Sequence, residues 1–409
     1  METCAPLRTT SRLPSADRLL VIFSDIEMGS GGPTDDFPHS DFLGSLIGNY
    51  GRSDLRDLPI DLIFNGDTFD LLKTAFEGTF PIHITAAVAV AKLAQIALAH
   101  APFFAALREF LAEPGADRRV QFIVGNHDAE LVFPEVQAQL RELCGNDSRV
   151  LFPGFRLAVG RVLIEHGSQS DRMFCVDEEH PVVEFEGQQI LHISWGAVAL
   201  LKTVIPLKEL LGFHDRLRPK QLMLELLPEL QGLLMSRFWG YWSHDFWKGY
   251  VTSSDPTQEI TWAMLKEVIW RFSVRSPEVL MSDGLLERMR NTPEVLLYVV
   301  GHQHESQWLS FGDRKILQSG CLRNAYMVDA KGETFRPIPK TYIEAWLRDG
   351  VPVVSTFVEF EGPPVPTDYL PRSIFDVLDG VRALHLPEGS VTTAHPLKSA
   401  HAKGAHAAR

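Results

Sequence analysis

Val120-Gln121-Phe122-Ile123-Val124-Gly125-Asn126-His127-Asp128 is an apolar run that ends in a glycine and three polar residues. A short continuous apolar run is typical of a strand buried on both faces, and the polar residues follow its carboxyl end. The same order recurs elsewhere in the chain, where apolar runs end at Ser24-Asp25, Gly66-Asp67, His166-Gly167 and Gly301-His302. Loops that follow such strands meet at one edge of a sheet, so we predict that the polar residues converge there.

The polar residues after these runs have side chains that bind divalent metal ions. Two ions held side by side need one bridging carboxylate and several terminal histidine, aspartate or asparagine ligands. Taken alone, any one of these residues is better explained as part of a turn or a helix cap. Because all five strand ends carry them, the sequence predicts a dinuclear hydrolase site at Asp25-Ile26-Glu27, Gly66-Asp67, Gly125-Asn126-His127-Asp128 and Gly301-His302-Gln303-His304, with a fifth candidate at Glu165-His166-Gly167.

Helical patterns separate the predicted strands at 41–50, 85–111 and 134–144, and this alternation predicts an α/β fold. Between 174 and 294 the strand pattern stops and the chain is rich in Leu, Trp and Phe, which predicts an inserted helical cap. Within 237–250, seven of fourteen positions are aromatic. Such density favours core or interface packing. The alternative is a lid that grips an apolar substrate group or docks on a membrane surface.

The predicted division of the chain places a core at 18–173 and 295–361, on either side of the cap. Residues 1–17 are predicted to be a disordered N-terminus without the apolar core of a secretory signal. Residues 362–409 are predicted to be a partly disordered C-terminal extension, because the segment begins Pro-rich and its last part is rich in Ala, His and Lys.

The composition restricts the classes of partner and compartment. The chain has 409 residues and a net charge of −13, so a non-specific grip on nucleic acid through Lys and Arg is unfavourable. Its 4 cysteines form no CxxC pair, which fits a reducing cytoplasm. No uninterrupted apolar run reaches the roughly 20 residues of a spanning helix, so we expect no transmembrane segment. Composition gives no prediction of the oligomeric state.

Taken in order along the chain, the motifs resemble those of the calcineurin-like metallophosphoesterase superfamily: Gly66-Asp67, Gly125-Asn126-His127-Asp128, His166-Gly167 and Gly301-His302-Gln303-His304. The resemblance covers 18–171 and 295–357. It implies a four-layer α/β/β/α sandwich and hydrolysis of a phosphoric ester or diphosphate bond by metal-bound hydroxide. It also implies a cofactor of two divalent ions, for which we expect Mn²⁺, with Fe, Zn and Mg as alternatives.

By position, the resemblance implies that Asp67 bridges the two ions and fixes their spacing. Asp25 and His304 are then expected on the first ion. The remaining ligands, expected on the second ion, are Asn126, His166 and His302.

The resemblance also implies roles for two residues that follow the asparagine ligand. His127 is expected to face the substrate and protonate the leaving oxygen, which suits an imidazole because its pKa lies near working pH. Asp128 is expected to orient the His127 ring. A structural histidine at a helix start is the alternative for His127. Arg323 is expected to contact a substrate phosphate, with a salt bridge as its alternative.

One position departs from the superfamily pattern, because Glu27 stands where the superfamily has histidine. Glu27 could bind the first ion through oxygen, which would favour Mn²⁺ or Mg²⁺ over Zn²⁺. Alternatively, it lies outside the ligand set and the ion gains a water. A third interpretation is a weakened first site in a metal-binding or docking protein with little catalysis.

The stretches 125–137 and 165–171 and the place of the cap resemble a bacterial branch related to the UDP-2,3-diacylglucosamine pyrophosphatases. Those enzymes cleave a diphosphate of a lipid precursor. The resemblance implies a phosphorylated small molecule or a lipid-linked compound as the substrate, with peripheral membrane contact through the cap. Glu27 and Ser168-Gln169-Ser170-Asp171 differ from the pattern of that enzyme, so no single substrate is assigned.

Overall fold

The computed structural model describes residues 12–13, 15–52, 54–252, 254–258, 266 and 283–384. Most of the predicted disordered N-terminus, part of the predicted cap and the end of the C-terminal extension lie outside the described residues. The strands are β1 (Arg18–Phe23), β2 (Ile60–Asn65), β3 (Arg118–Ile123), β4 (Val150–Gly154), β5 (Arg156–Val159), β6 (Val162–Glu165), β7 (Val182–Phe185), β8 (Gln188–Leu191), β9 (Leu217–Arg218), β10 (Leu297–Val300), β11 (Ser306–Phe311), β12 (Arg314–Ser319), β13 (Tyr326–Val328), β14 (Phe335–Pro337), β15 (Lys340–Arg348) and β16 (Val351–Phe360).

The helices alternate with the first strands and then dominate the middle of the chain. They are α1 (Ser40–Arg52), α2 (Ala86–Ala99), α3 (Ala101–Ala112), α4 (Pro134–Leu143), α5 (Trp195–Thr203), α6 (Lys208–Asp215), α7 (Lys220–Leu226), α8 (Pro228–Gly240), α9 (Trp247–Thr252), α10 (Asp283–Asn291) and α11 (Leu378–Ala383). A π-helical segment, Tyr241–Phe246, joins α8 to α9.

Two sheets carry the predicted strand ends. The first has the order β16-β15-β1-β2-β3-β4, with β1 to β4 parallel and β15 antiparallel to β1. The second has the order β11-β12-β10-β6-β5, with β6, β10 and β12 parallel. The prediction of a mixed α/β fold is therefore confirmed, and each apolar run with a polar end forms a strand of one of these sheets.

Burial on both faces explains why β1 reads as one continuous apolar run. Leu20 and Ile22 belong to a buried cluster that also contains Ile164 and Val299 of the second sheet. Side chains on the other face of β1, such as Val21, belong to a second cluster with residues of α1, α2, α3 and α4. The two sheets thus pack face to face, with helices against the outer face of the first sheet.

The segment predicted as one helix over 85–111 forms two helices, α2 and α3, that meet at a bend of 86°. Pro102 stands in the first turn of α3, where a missing backbone N–H costs little, and α2 ends just before it. Among the described helices, none alone has the length and apolarity of a membrane span, whereas α2 and α3 have them only jointly.

The segment between β6 and β10 is mainly helical in its described part, but it also contains strands. β7 and β8 form a hairpin, and β9 pairs with β13 in a small sheet. The helices share a buried cluster with Ile374 and Val377, so the described start of the C-terminal extension packs on them. The predicted domain boundaries remain predictions.

A buried lysine at the start of β15 gives a prediction about stability and pH. Lys340 is 4% exposed and donates to the Leu322 carbonyl and to Oδ1 of Asn324. Burial lowers the pKa of Lys340 to about 7 from 10.5. Between these pH values the unfolded chain binds this proton more strongly than the folded chain, so the contribution of Lys340 to the free energy of unfolding increases with pH.

We therefore expect the melting temperature of the wild type to rise relative to that of Lys340→Met as pH increases from 7 to about 10. The titration of other groups cancels in this difference. A difference in melting temperature that stays constant with pH, or that shifts in favour of Lys340→Met, would contradict the lowered pKa of Lys340.

Candidate metal centre

The predicted ligands come together because the strands that precede them lie side by side in the two sheets. Within the first sheet, Asp25 follows β1, Asp67 follows β2 and Asn126 follows β3. In the second sheet, His166 follows β6 and His302 follows β10. Backbone hydrogen bonds tie the loops together, for example from the Glu27 N–H to the Asp67 carbonyl at 2.8 Å.

The backbone at these strand ends is strained at the residues that carry the chemistry. Positive φ angles occur at Asp25 (52°), Glu27 (54°), Asp67 (49°), His302 (73°) and His304 (61°). Non-glycine residues adopt this left-handed region at a cost of about 1–3 kcal/mol each, and such strain is concentrated at functional sites. The surrounding hydrogen bonds must hold these five side chains in place against that cost.

Among the residues that the structure describes, two groups could hold a metal ion. The first consists of Asp67, His166 and His302, whose ligand atoms all lie within 4.8 Å of one another. Nε2 of His166 lies 3.1 Å from Oδ2 of Asp67 and 3.1 Å from Oδ1 of Asn126. Nδ1 of His166 donates to the Asn65 carbonyl at 3.0 Å, which leaves Nε2 as the nitrogen free to bind a cation. Donor types and spacing both fit a divalent ion here.

The second such group consists of Glu27, Asp70 and His127. Asp70 was not predicted as a site residue, because it stands three residues after the Gly-Asp motif with no motif of its own. Oδ1 of Asp70 lies 3.0 Å from Nδ1 of His127 and fixes the orientation of that ring.

The expectation that Asp128 orients the His127 ring is therefore wrong, because Asp70 occupies that position. The carboxylate of Asp128 is fully buried and accepts hydrogen bonds from the backbone N–H groups of Gly125 (2.7 Å) and Thr68 (2.8 Å). Asp128 thus ties the loop after β3 to the loop after β2. It positions the residues of the site through the backbone.

Asp25 and His304 lie between the two groups. The Asp25 carboxylate accepts from the His302 N–H at 3.0 Å, and Nε2 of His304 lies 3.2 Å from Oδ1 of Asp25 and 3.3 Å from Oε1 of Glu27. The structure thus places all the predicted ligands around one centre. Asp171, which was not predicted, lies 3.2 Å from Nε2 of His302.

Glu27 is ion-paired with two cations. Its Oε1 accepts from Arg323 at 2.7 Å, and its Oε2 accepts from Lys73 at 2.8 Å. Arg323 is 5% exposed and also pairs with Asp36 (2.9 Å) and Asp215 (2.7 Å). The salt bridge considered for Arg323 is thus present, and its contact with a substrate phosphate stays a prediction.

The charges of the centre shift several pKa values. Burial opposes ionisation of Asp67, but His166 and His127 outweigh it and hold the pKa of Asp67 well below its usual range. Burial likewise opposes protonation of the rings, but Asp67 and its neighbours raise the pKa of His166 to about 10 and of His127 to about 9. Burial would raise the pKa of Glu27, but Arg323 and Lys73 lower it to about 2. The centre therefore consists of ionised carboxylates that need cationic partners.

The centre opens into a cavity of about 300 Å³. Its lining includes Asp67, Asn126, His127, His302 and His304. The lining also includes Phe174 and apolar side chains of α5, of α6 and of the segment between them: Leu200, Leu211, Val204 and Ile205. A ligand can therefore place a polar group at the centre and an apolar group against these side chains.

No protein-family model and no curated protein matches the chain. A comparison with solved structures finds similarity to a dimetal phosphatase from Danio rerio, at a TM-score of 0.35 and 10% identity, with 85% of this chain and 100% of that chain covered. A likeness of this size carries no argument about function, so any functional assignment depends on the geometry of the centre.

The close contact between the loops after β2 and β3 gives a prediction. A Cβ atom on Gly125 would lie 2.4 Å from the backbone nitrogen of Asp67 and 2.2 Å from its Oδ1. We expect Gly125→Ala to lower the free energy of unfolding by about 1–3 kcal/mol or more, since the Asp67 loop must move. The measurement is urea unfolding followed by circular dichroism.

Gly232→Ala is the matched control, because a Cβ atom there meets nothing within 4 Å on the exposed side of α8. It should raise the free energy of unfolding by about 0.5–1 kcal/mol. Equal effects of the two variants would mean that Gly125 is not needed for the approach of these loops.

Proposed function

We propose that this chain is a metal-dependent hydrolase of phosphoric esters or diphosphates with two divalent ions, Mn²⁺ being the expected metal. The observation that supports this most is the convergence of Asp67, His166 and His302, which follow three different strands and lie within 4.8 Å of one another. The proposal includes a four-layer α/β/β/α arrangement with an inserted cap.

In this proposal Asp67 would lie between the two ions. His166 and His302, with Asn126, would hold one ion, and Asp25 and His304 would hold the other. Divalent ions in such a site activate water and stabilise negative charge on phosphoryl oxygens. The strained backbone fixes these side chains before the substrate arrives, so little reorganisation is needed during the reaction.

His127 is proposed as the residue that donates a proton to the leaving oxygen. Its Nδ1 is engaged by Asp70, so Nε2 is the nitrogen that remains for a substrate. His127 also lines the cavity, where a leaving group would lie. Asp128 contributes by holding the backbone of the two loops, and Arg323 by neutralising Glu27.

The substrate is proposed to be a phosphorylated small molecule or a lipid-linked phosphate compound. Apolar side chains in the cavity lining, such as Leu200, Ile205 and Leu211, support an organic group of apolar character in the substrate. A net charge of −13 disfavours nucleic acid. Exposed side chains in the aromatic segment, such as Trp239 at 66%, support peripheral contact with a membrane surface as part of the proposal.

The second candidate function is a metal-binding or docking protein with weakened catalysis. The observation that favours it is the pairing of Glu27 with Arg323 and Lys73, which occupies both of its oxygens. In that case metal would still bind at Asp67 and His166, but turnover would be absent even in excess Mn²⁺.

We expect Mn²⁺-stimulated hydrolysis of bis-p-nitrophenyl phosphate, reduced at least about 100-fold by Asp67→Asn and by His302→Ala. Metal content, measured by elemental analysis of the same samples, should fall by at least one ion in Asp67→Asn. Asp61→Asn is the matched control, because it makes the same change in β2 at a residue outside the metal centre. The Asp61 carboxylate pairs with Arg18 at 2.8 Å.

Full activity and full metal content in Asp67→Asn would refute the assignment of Asp67. Absence of turnover in the wild type with metal bound would favour the second candidate function.

A further inference from the structure

Lys73 lies inside one of the two groups that could hold a metal ion. Its Nζ is 2.8 Å from Oε2 of Glu27 and 3.2 Å from Oδ2 of Asp70, so it contacts both carboxylates of the Glu27–Asp70–His127 group. The Lys73 side chain is 12% exposed, and it also lines the cavity. An ammonium group here neutralises the same oxygens that a divalent ion would bind.

The Asp67–His166–His302 group contains no such ammonium among the described residues. Asp67 pairs with His166, and the described part of the chain places no lysine or arginine in ion-pair contact with the Asp67 carboxylate. Asn126 adds a neutral oxygen at 3.1 Å from His166. A divalent ion at Asp67 and His166 therefore has no lysine ammonium to displace and needs only to replace the proton on Nε2 of His166.

We propose that Lys73 is an internal competitor for the second metal ion, so that the two ions bind with very different affinities. The inference rests on the metal-binding part of the proposed function. The Asp67–His166–His302 group takes the first ion. The second ion, expected near Asp25 and His304, needs the neighbouring Glu27 carboxylate and binds only when the ammonium of Lys73 leaves that carboxylate.

The surroundings provide a second position for that ammonium. Nζ of Lys73 lies 2.6 Å from Oδ2 of Asp36 and 3.6 Å from Oδ2 of Asp215, and neither residue belongs to the metal groups. The Lys73 carbonyl accepts from Lys208 at 3.0 Å, which fixes the backbone of the loop. Movement of the ammonium toward Asp36 and Asp215 would release Oε2 of Glu27 and Oδ2 of Asp70, while Arg323 keeps its contact with Oε1 of Glu27.

Titration calorimetry with Mn²⁺ on the full chain tests this. For the wild type we expect one tight ion and a second ion bound at least about tenfold more weakly. In Lys73→Met, which keeps the length of the side chain without the charge, the second ion should bind about tenfold or more tightly than in the wild type. Lys73→Arg keeps the charge and should leave the second ion weak.

Lys220→Met is the matched control. It removes a lysine that also lines the cavity but whose ammonium contacts Asp215 at 3.4 Å rather than Glu27 or Asp70. A change in general charge alone would tighten the second ion equally in both methionine variants, and that result would overturn the proposal.

Two equally tight ions in the wild type would also overturn the proposal, whether or not Lys73→Met folds. If such a wild type hydrolyses bis-p-nitrophenyl phosphate, the proposed function survives and only this inference fails. A wild type that binds no Mn²⁺ would contradict both. Circular dichroism of each variant without metal shows which samples are folded.

Discussion

The burial of several carboxylates at one place is the constraint on which the rest of the centre depends. Asp25, Glu27, Asp67 and Asp70 are each at most 1% exposed. A buried carboxylate is costly unless cations or hydrogen-bond donors compensate it. Histidines and backbone N–H groups compensate Asp25 and Asp67, whereas Lys73 and Arg323 compensate Glu27. The same negative charge that needs these partners is what makes the centre suitable for divalent ions.

The backbone conformation brings the buried carboxylates and their hydrogen-bond donors together. The carboxyl ends of the parallel strands lie at one edge of the sheet. Several residues that follow them, such as Asp25 and Asp67, adopt positive φ angles at the metal centre. The fully buried carboxyl group of Asp128 accepts hydrogen bonds from the backbone of two of these loops and so acts as a structural link between them. The apolar side chains that line the cavity belong to the segment between β6 and β10, so they and the metal ligands come from separate parts of the chain.

The sequence was sufficient to predict the five strands that carry the polar residues, because a strand buried on both faces leaves a continuous apolar run followed by polar residues. It did not predict β7, β8 and β9, which lie in the segment expected to be helical. It did not reveal Asp70, Lys73 or Asp171, since each depends on a contact made in space and belongs to no short motif. The role expected of Asp128 was wrong for a related reason: a carboxylate next to His127 in sequence points to backbone N–H groups, and Asp70 holds the ring. The break between α2 and α3 was missed because the alanine-rich pattern continues through it.

The central claim is that Asp67, His166 and His302 hold a divalent ion. Its most direct test is anomalous diffraction from crystals grown with Mn²⁺. The account predicts that the strongest anomalous peak lies about 2.0–2.3 Å from the Asp67 carboxylate and from Nε2 of His166, with the His302 ring beside it. A strongest peak elsewhere, or no peak at these three side chains in crystals that contain bound Mn²⁺, would contradict it.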